Sequence, residues 1–448
     1  MHTLRRTATA VLVAVALLLV AGLGVFRQLR ADARGPMAST SALDAPIVPT
    51  ASLDQAIADL QAHLAAIPDD AHGYAELGLA YSAEATHTGD PTYYSKAEQA
   101  LERSLQLQPD DNADALIGMG VLANAKHDFA DGVRYGRAAL AIEPDSAHIL
   151  GVIGDGQLEL GHYRHAFATF RRMVQTRPDI ASYARVSYAR ELQGKISGAL
   201  SAMRRALQAA GSPDDAAWVS YQLGGLYLRT GRIARAAHAF RQSEALSPSY
   251  VPPHAGLARI SWERGDVGGA IRGYRWVVAR LPLPEHVIAL GDLYTIAGRS
   301  QAADDAYALA RTEATLFRAN GVNVDVELAL FEADHGDAAT ALTDAKAGWA
   351  ARHSINAADA MAWSLYRSGR FRSAARYARS ALHLGTHDAL YEYHAAMIDL
   401  RLGRRVAART NLERALATDA HFSILYAGRA RHTLDRLMRG APATSSGP

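Results

Sequence analysis

The sequence predicts an all-α fold, a solenoid of about ten stacked helix-turn-helix units preceded by one transmembrane helix. Three observations predict it: glycines recur near every 34 residues, helically patterned segments flank each of them, and an uncharged apolar run occupies residues 8–26. A helix pair with apolar residues on more than one face buries them only against neighbours, so such pairs stack.

In chain order, Arg5 and Arg6 precede ATAVLVAVALLLVAGLGVF at residues 8–26. As a helix this run is about 28 Å long, enough to span a bilayer core. Residues 1–30 therefore read as an uncleaved membrane anchor, with a signal peptide as the alternative. Ala31-Asp32-Ala33 offers a cleavage site, but Arg27 and Arg30 lie between it and the apolar run. Arg27, Arg30 and Arg34 nearly balance the basic N-terminal flank. The short leading flank and a large following domain, which translocates regardless of charge, point to an extracytoplasmic repeat domain. Residues 31–52 carry three prolines among Ala, Ser and Thr and read as a flexible linker. The lead helix is expected over 53–67, the solenoid with a C-terminal capping helix at 421–438 fills 53–439, and 440–448 reads as a disordered tail.

Composition narrows the chemistry. The chain has no cysteine, which excludes disulfides, a thiol nucleophile and thiolate metal sites. Its formal net charge of +2 creates no whole-chain field for nucleic acid. Lysine occurs only at 96, 126, 195 and 346, and the other 43 basic residues are arginines.

The repeat is legible in LELGHYRHAFATF (158–170), LRTGRIARAAHAF (228–240), WERGDVGGAIRGY (262–274), TIAGRSQAADDAY (295–307), ADHGDAATALTDA (333–345), YRSGRFRSAARYA (366–378) and LRLGRRVAARTNL (400–412). The turn glycines are Gly161, Gly194, Gly231, Gly265, Gly298, Gly336, Gly369 and Gly403. Glycine ends the first helix, small residues let the two helices approach, aromatics fill the space beside them, and proline stops the second helix.

These features resemble the tetratricopeptide repeat family, whose pattern is W-x2-L-G-x2-Y, then A-x3-F, then P. Leu223, Gly224, Tyr227, Gly231, Ala236, Phe240 and Pro248 keep nearly all of it. Gly154, Gly161, Tyr163, Ala166, Phe170 and Pro178 mark another unit, and Leu290, Gly291, Tyr294, Gly298, Ala303 and Tyr307 a further one. Tyr74, Leu77, Gly78, Tyr81, Ala97, Leu101 and Pro109 match with an insertion at 82–95. After residue 322 the units keep glycine and Ala341, Ala374 and Ala408 but lose the closing proline. The resemblance implies a right-handed superhelix spanning about 70–439, with first helices lining a concave groove.

Carried over unit by unit, the resemblance nominates a partner-binding face: Asp155 and Glu159; Trp218, Tyr221 and Arg229; Arg259, Trp262 and Glu263; Asn356, Trp363, Tyr366 and Arg367; Tyr393 and Arg401. Trp, Tyr and Arg are the side chains most often found as interface hot spots. None of the lysines pairs with asparagines as in the clamp by which some members of the family hold chaperone C-termini.

Other chemistry has little support. His162 and His165 sit where sister units place Arg232 and Arg235, or Asp266 and Gly269, which reads as solvated surface. His383, His387 and His394 are the one candidate zinc or nickel set, and no carboxylate is fixed beside them by spacing. No H-E-x-x-H, phosphate-cradling G-x-x-x-x-G-K, G-x-S-x-G elbow or dinucleotide fingerprint occurs, and nothing calls for a cofactor. The expected function is a noncatalytic membrane-tethered scaffold that binds a protein segment in the concave groove. The alternative is an extracytoplasmic ligand- or metal-binding accessory protein of a transporter.

Overall fold

A computed structural model describes residues 53–439 of the 448-residue chain. The expected anchor at 8–26, the linker to residue 52 and the tail at 440–448 lie outside the described residues. Among those described, every regular element is a helix. A lead helix, α1 (Leu53–Ala66), is followed by ten helix pairs and a last helix, α22 (Ala427–Met438).

The chain divides into two compact units, residues 53–182 with 319–322 and residues 183–318 with 323–439. The smaller unit contains α1, α2 (Ala71–Thr88), α3 (Thr92–Leu107), α4 (Ala113–Ala125), α5 (Phe129–Ile142), α6 (Ala147–Glu159) and α7 (Tyr163–Thr176). Its short connections are capped as the Pro-Asp and Asp-Asn turns dictate. Asp70 accepts from the Gly73 amide and Asn112 from the Ala115 amide, each at 3.0 Å, satisfying helix-end donors that would otherwise have no partner. The insertion at 82–95 forms no long loop. It lengthens α2 to 18 residues, and Gly89 at φ 75° closes the helix just before α3.

The larger unit contains most of α8 (Ile180–Leu192), then α9 (Ile196–Gln208), α10 (Pro213–Arg229), α11 (Ile233–Leu246), α12 (Pro252–Glu263), α13 (Val267–Val278), α14 (Pro284–Ile296) and nearly all of α15 (Ser300–Ala319). It continues through α16 (Asp325–His335), α17 (Ala338–Ala351), α18 (Ile355–Arg367), α19 (Phe371–Ala381), α20 (Ala389–Arg401), α21 (Arg405–Thr418) and α22. Even-numbered helices are the first of each pair. Successive first helices pack on one another, as α16 does on α18 and α18 on α20.

Close packing within a pair needs glycine opposite the aromatic. A Cβ on Gly154 would lie 2.3 Å from Phe170, and one on Gly224 would lie 2.5 Å from Phe240. Both phenylalanines are buried in the space this leaves. Seven of the eight expected turn glycines adopt positive φ; Gly336, at φ −124°, does not. There the Glu332 carboxylate fills the space beside the glycine, and Asp337 caps α17 at once through the Ala339 and Thr340 amides.

The pairs of the larger unit curl until distant turns meet. The Thr386 hydroxyl donates to the Leu192 carbonyl across 194 positions, and a Cβ on Gly194 would fall 2.4 Å from the Gly385 carbonyl oxygen. Nearby in the sequence, a Cβ on Gly231 would lie 3.1 Å from the Thr418 carbonyl oxygen.

The expected helix over 421–438 begins later, at Ala427. Residues 419–426, DAHFSILY, form an irregular segment, with Phe422 fully buried and Ile424 and Tyr426 nearly so. Phe422, Leu425 and Tyr426 have the i, i+3, i+4 spacing of one helix face, but Ile424 falls on the opposite side, so no single helix face could bury all four.

Candidate protein-binding face

The first helices of the larger unit carry most of the nominated residues, and their side chains are engaged within the unit. Arg229, at the end of α10, makes a bidentate ion pair with Glu191 of α8, its Nε 2.6 Å and its Nη2 2.9 Å from the two carboxylate oxygens. Trp218 is buried nearer the start of the same helix. Tyr221 is half-buried, edge-on to Tyr250 at 5.8 Å, and desolvation pushes its phenol well above the usual range.

On α12, Arg259 Nε donates to Glu263 at 2.9 Å, and the guanidinium lies 4.9 Å from the centre of the Trp262 ring. Its Nη2 donates to the backbone carbonyl of His421 and stands 3.9 Å from the Asp419 carboxylate. Trp262 meets the His421 ring edge-on at 6.0 Å. Arg259 and Trp262 thus hold the start of the irregular segment. Ile424 joins the apolar cluster of Ala255, Ile271, Leu290 and Leu293, while Leu425 packs against Val287, Ile288 and Phe331.

The far end of the segment meets α16, α18 and α20. Trp363 is only 2% exposed and is stacked between Tyr366 at 4.7 Å and His394 at 4.0 Å. Its indole Nε1 donates to Asp334 at 2.6 Å, and the Tyr426 hydroxyl donates to the same oxygen at 2.6 Å. Tyr393 stacks on Tyr426 at 5.1 Å and tilts against Phe422 at 5.4 Å. Asn356 accepts from the Tyr391 hydroxyl, and Asp359 bonds His394 Nδ1 at 2.9 Å. Burial of the Asp359 carboxyl raises its pKa, opposed by the adjacent imidazole. Arg367 is half-buried. Arg401 is exposed, with its guanidinium 4.5 Å from the centre of the Phe371 ring.

The face therefore brings together Arg259, Trp262, Trp363 and Tyr393 around residues 419–426, with Tyr366 stacked on Trp363. Arg229 with Trp218 and Tyr221 lies toward α8, and Arg401 lies at the outer end of α20. Asp155 and Glu159 are buried on α6 in the smaller unit. What the repeat pattern missed is the set of internal partners: Glu191, Asp334, Asp359 and the segment itself. The one available signal was Ile424, which falls off the helix face that Phe422, Leu425 and Tyr426 would share.

The three histidines of the metal candidate do not converge. His394 is fully buried against Asp359, while His383 and His387 are exposed in the turn before α20, and His383 Nδ1 lies 2.6 Å from the Ser380 carbonyl oxygen. Among the described residues no three His, Asp or Glu side chains are grouped to hold a metal ion. His162 is exposed at the start of α7 and His165 one turn further on, their rings edge-on at 6.4 Å.

No protein-family profile matches the chain. Residues of the chain are 26% identical over 136 positions to protein FlbA of Caulobacter vibrioides, covering 30% of this chain and 22% of FlbA. They are 25% identical over 199 positions to cellulose synthase 1 operon protein C of Komagataeibacter xylinus, covering 44% of this chain and 13% of that protein. The chain thus spans less than a quarter of the length of either relative. Among solved structures it is similar to a chain of the APC/C hetero-tetramer Cut9-Hcn1, with a TM-score of 0.40 and 16% identity over 86% of this chain and 81% of that one. It is also similar to a tetratricopeptide repeat protein from Parabacteroides merdae, with a TM-score of 0.34 and 15% identity over 64% of this chain and 98% of that one.

Proposed function

We propose that the chain is a noncatalytic scaffold, tethered to a membrane through residues 8–26, that binds a protein partner on the first-helix face of its helical array. One observation carries this reading: the face of α12, α14, α16, α18 and α20 holds an irregular eight-residue segment by aromatic stacking, one hydroxyl-to-carboxylate bond and an arginine-to-backbone bond. That is the chemistry by which a groove grips an extended peptide. The proposed partner contacts are centred on Arg259, Trp262, Trp363 and Tyr393, which hold that segment, and extend along the first helices to Trp218, Tyr221, Arg229, Glu263, Tyr366 and Arg401. The partner is a protein, and neither nucleic acid nor a cofactor enters the reading.

Among the described residues no helix is long and apolar enough to cross a membrane, so the tether rests on residues 8–26 alone. The repeat domain is proposed to lie outside the cytoplasm.

The test is capture of partners by in-cell crosslinking, with the wild-type chain and the double variant Arg259→Ala, Trp262→Ala compared at equal abundance. The variant is expected to lose captured protein while keeping its helical circular-dichroism spectrum. Unchanged capture by a folded variant would overturn the site.

A further inference from the structure

The segment 419–426 does more than close the end of the array, because its contacts are those of a ligand. It has no helical hydrogen-bond ladder of its own, and it reaches helices as far as 162 positions upstream. Each anchor is a distinct kind of contact. Asp419 stands beside Arg259, and the His421 carbonyl accepts from that same guanidinium. Phe422 lies against Tyr393. Ile424 enters an apolar cluster built from α12, α13 and α14, and Leu425 one built from α14, α15 and α16. Tyr426 stacks on Tyr393 and donates to Asp334.

We infer that residues 419–426 are an internal ligand seated on the partner-binding face, and that the partner segment copies their chemistry. It carries an acidic residue at the first position, an aromatic residue at the fourth, two aliphatic residues at the sixth and seventh and a tyrosine at the eighth. This rests on the scaffold reading above and deepens it, since it assigns the partner's sequence class and requires the internal segment to give way. The partner competes with a tethered copy of itself, so its apparent affinity is its intrinsic affinity reduced by the fraction of molecules in which the face is open. A change that weakens only the internal copy therefore tightens binding in trans.

Tyr426→Phe in the full chain makes that change. It removes the hydroxyl that donates to Asp334 and keeps the ring stacked on Tyr393. A synthetic peptide with the sequence of residues 418–427 retains the tyrosine and can restore the bond. The peptide is expected to bind the variant about tenfold more tightly than the wild type by fluorescence anisotropy, the size of one hydrogen bond to a charged acceptor. A scrambled peptide should bind neither. Equal affinity for both proteins, or no binding to a folded variant, overturns the inference.

A second measurement covers a variant that fails to fold. Hydrogen exchange of the wild type should open the amides of 419–426 well before those of α18 and α20. Exchange of all three only through a common opening would show the segment to be fixed core and also overturn the inference. Neither result touches the scaffold reading, which stands or falls on partner capture by the Arg259 and Trp262 double variant.

Discussion

The Tyr426 hydroxyl lies 2.6 Å from Asp334 Oδ1, across 92 positions of sequence, and Trp363 Nε1 reaches the same oxygen at 2.6 Å. A carboxylate buried in this aromatic surround is held by its donors, because an unpaired charge there would carry the full cost of desolvation. Tyr426 and Trp363 come from the irregular segment and from α18, so one oxygen joins the segment to the first-helix face.

Trp363→Phe removes one of those donors while keeping a ring between Tyr366 and His394. The loss of a bond to a buried charged acceptor is expected to cost about 1–3 kcal/mol. Trp363→Ala also leaves a cavity and should cost about 3–5 kcal/mol. Urea midpoints of the unfolding step that covers the larger unit check both. Equal midpoints for Trp363→Phe and wild type would show that the Asp334 bond contributes nothing.

Gly194 and Gly265 have similar positive φ, 69° and 87°, but different surroundings. A Cβ at 265 meets nothing within 4 Å, whereas at 194 it runs into the Gly385 carbonyl oxygen and the His387 ring. Gly265→Ala should therefore cost only the backbone strain, about 1–2 kcal/mol. Gly194→Ala should cost more, because it also pushes apart the turns that meet there. Thermal midpoints of the two variants give the comparison, and a smaller loss at 194 would contradict the contact.

Burial pushes the Glu285 carboxyl up to about 7 from the usual 4.5, with the Glu327 charge adding to the shift. A raised acid pKa means that the folded state keeps a proton the unfolded chain has already lost. Stability should therefore fall as pH rises from about 4.5 to about 7 and level off above that. Glu285→Gln should flatten this part of the profile and raise the urea midpoint at pH 8. A profile unchanged by the substitution would rule out Glu285 as its source.

His72 behaves in the opposite sense. Hydrogen bonds to Asp114 and Glu76 raise its pKa to about 10 from 6.5. Its folded-state pKa lies above its unfolded one, so its contribution to stability is complete below about 6.5 and is lost as pH rises through about 10. The imidazole carbon-bound proton resonances should stay at their protonated positions from pH 6 to 8 and move in Asp114→Asn. Titration of the wild-type ring near pH 6.5 would be the contrary result.

Calorimetric titration of zinc or nickel into the full chain should show no stoichiometric uptake through His383, His387 and His394, since the third is buried against Asp359 and the first two are exposed. Uptake abolished by His387→Ala would favour the alternative ligand- or metal-binding reading over the scaffold.

The repeat itself was legible because its causes are local. A glycine such as Gly231 or Gly403 ends a helix through its own φ, an Asp or Asn after proline caps the next, and Gly224 faces Phe240 only sixteen positions away. Gly336 shows where this reading stops, because it adopts φ −124° rather than the positive φ of the other turn glycines, with the Glu332 carboxylate beside it and Asp337 capping the next helix at once. The nominated face was legible as a set of positions on first helices, but the partners of those positions were not. Arg229 finds Glu191 one pair away, and Arg259 finds Asp419 and His421 on the far side of the array.

By itself, then, the sequence determined an array of paired helices, their turns, and which helix of each pair carries aromatic and arginine side chains, since all of these follow from contacts a few to about forty residues apart. Only the tertiary structure decided what that face touches. Small rotations between successive pairs add up along the array, and their sum brings residues 419–426 onto α12 through α20, a coincidence of distant positions that no repeat period encodes.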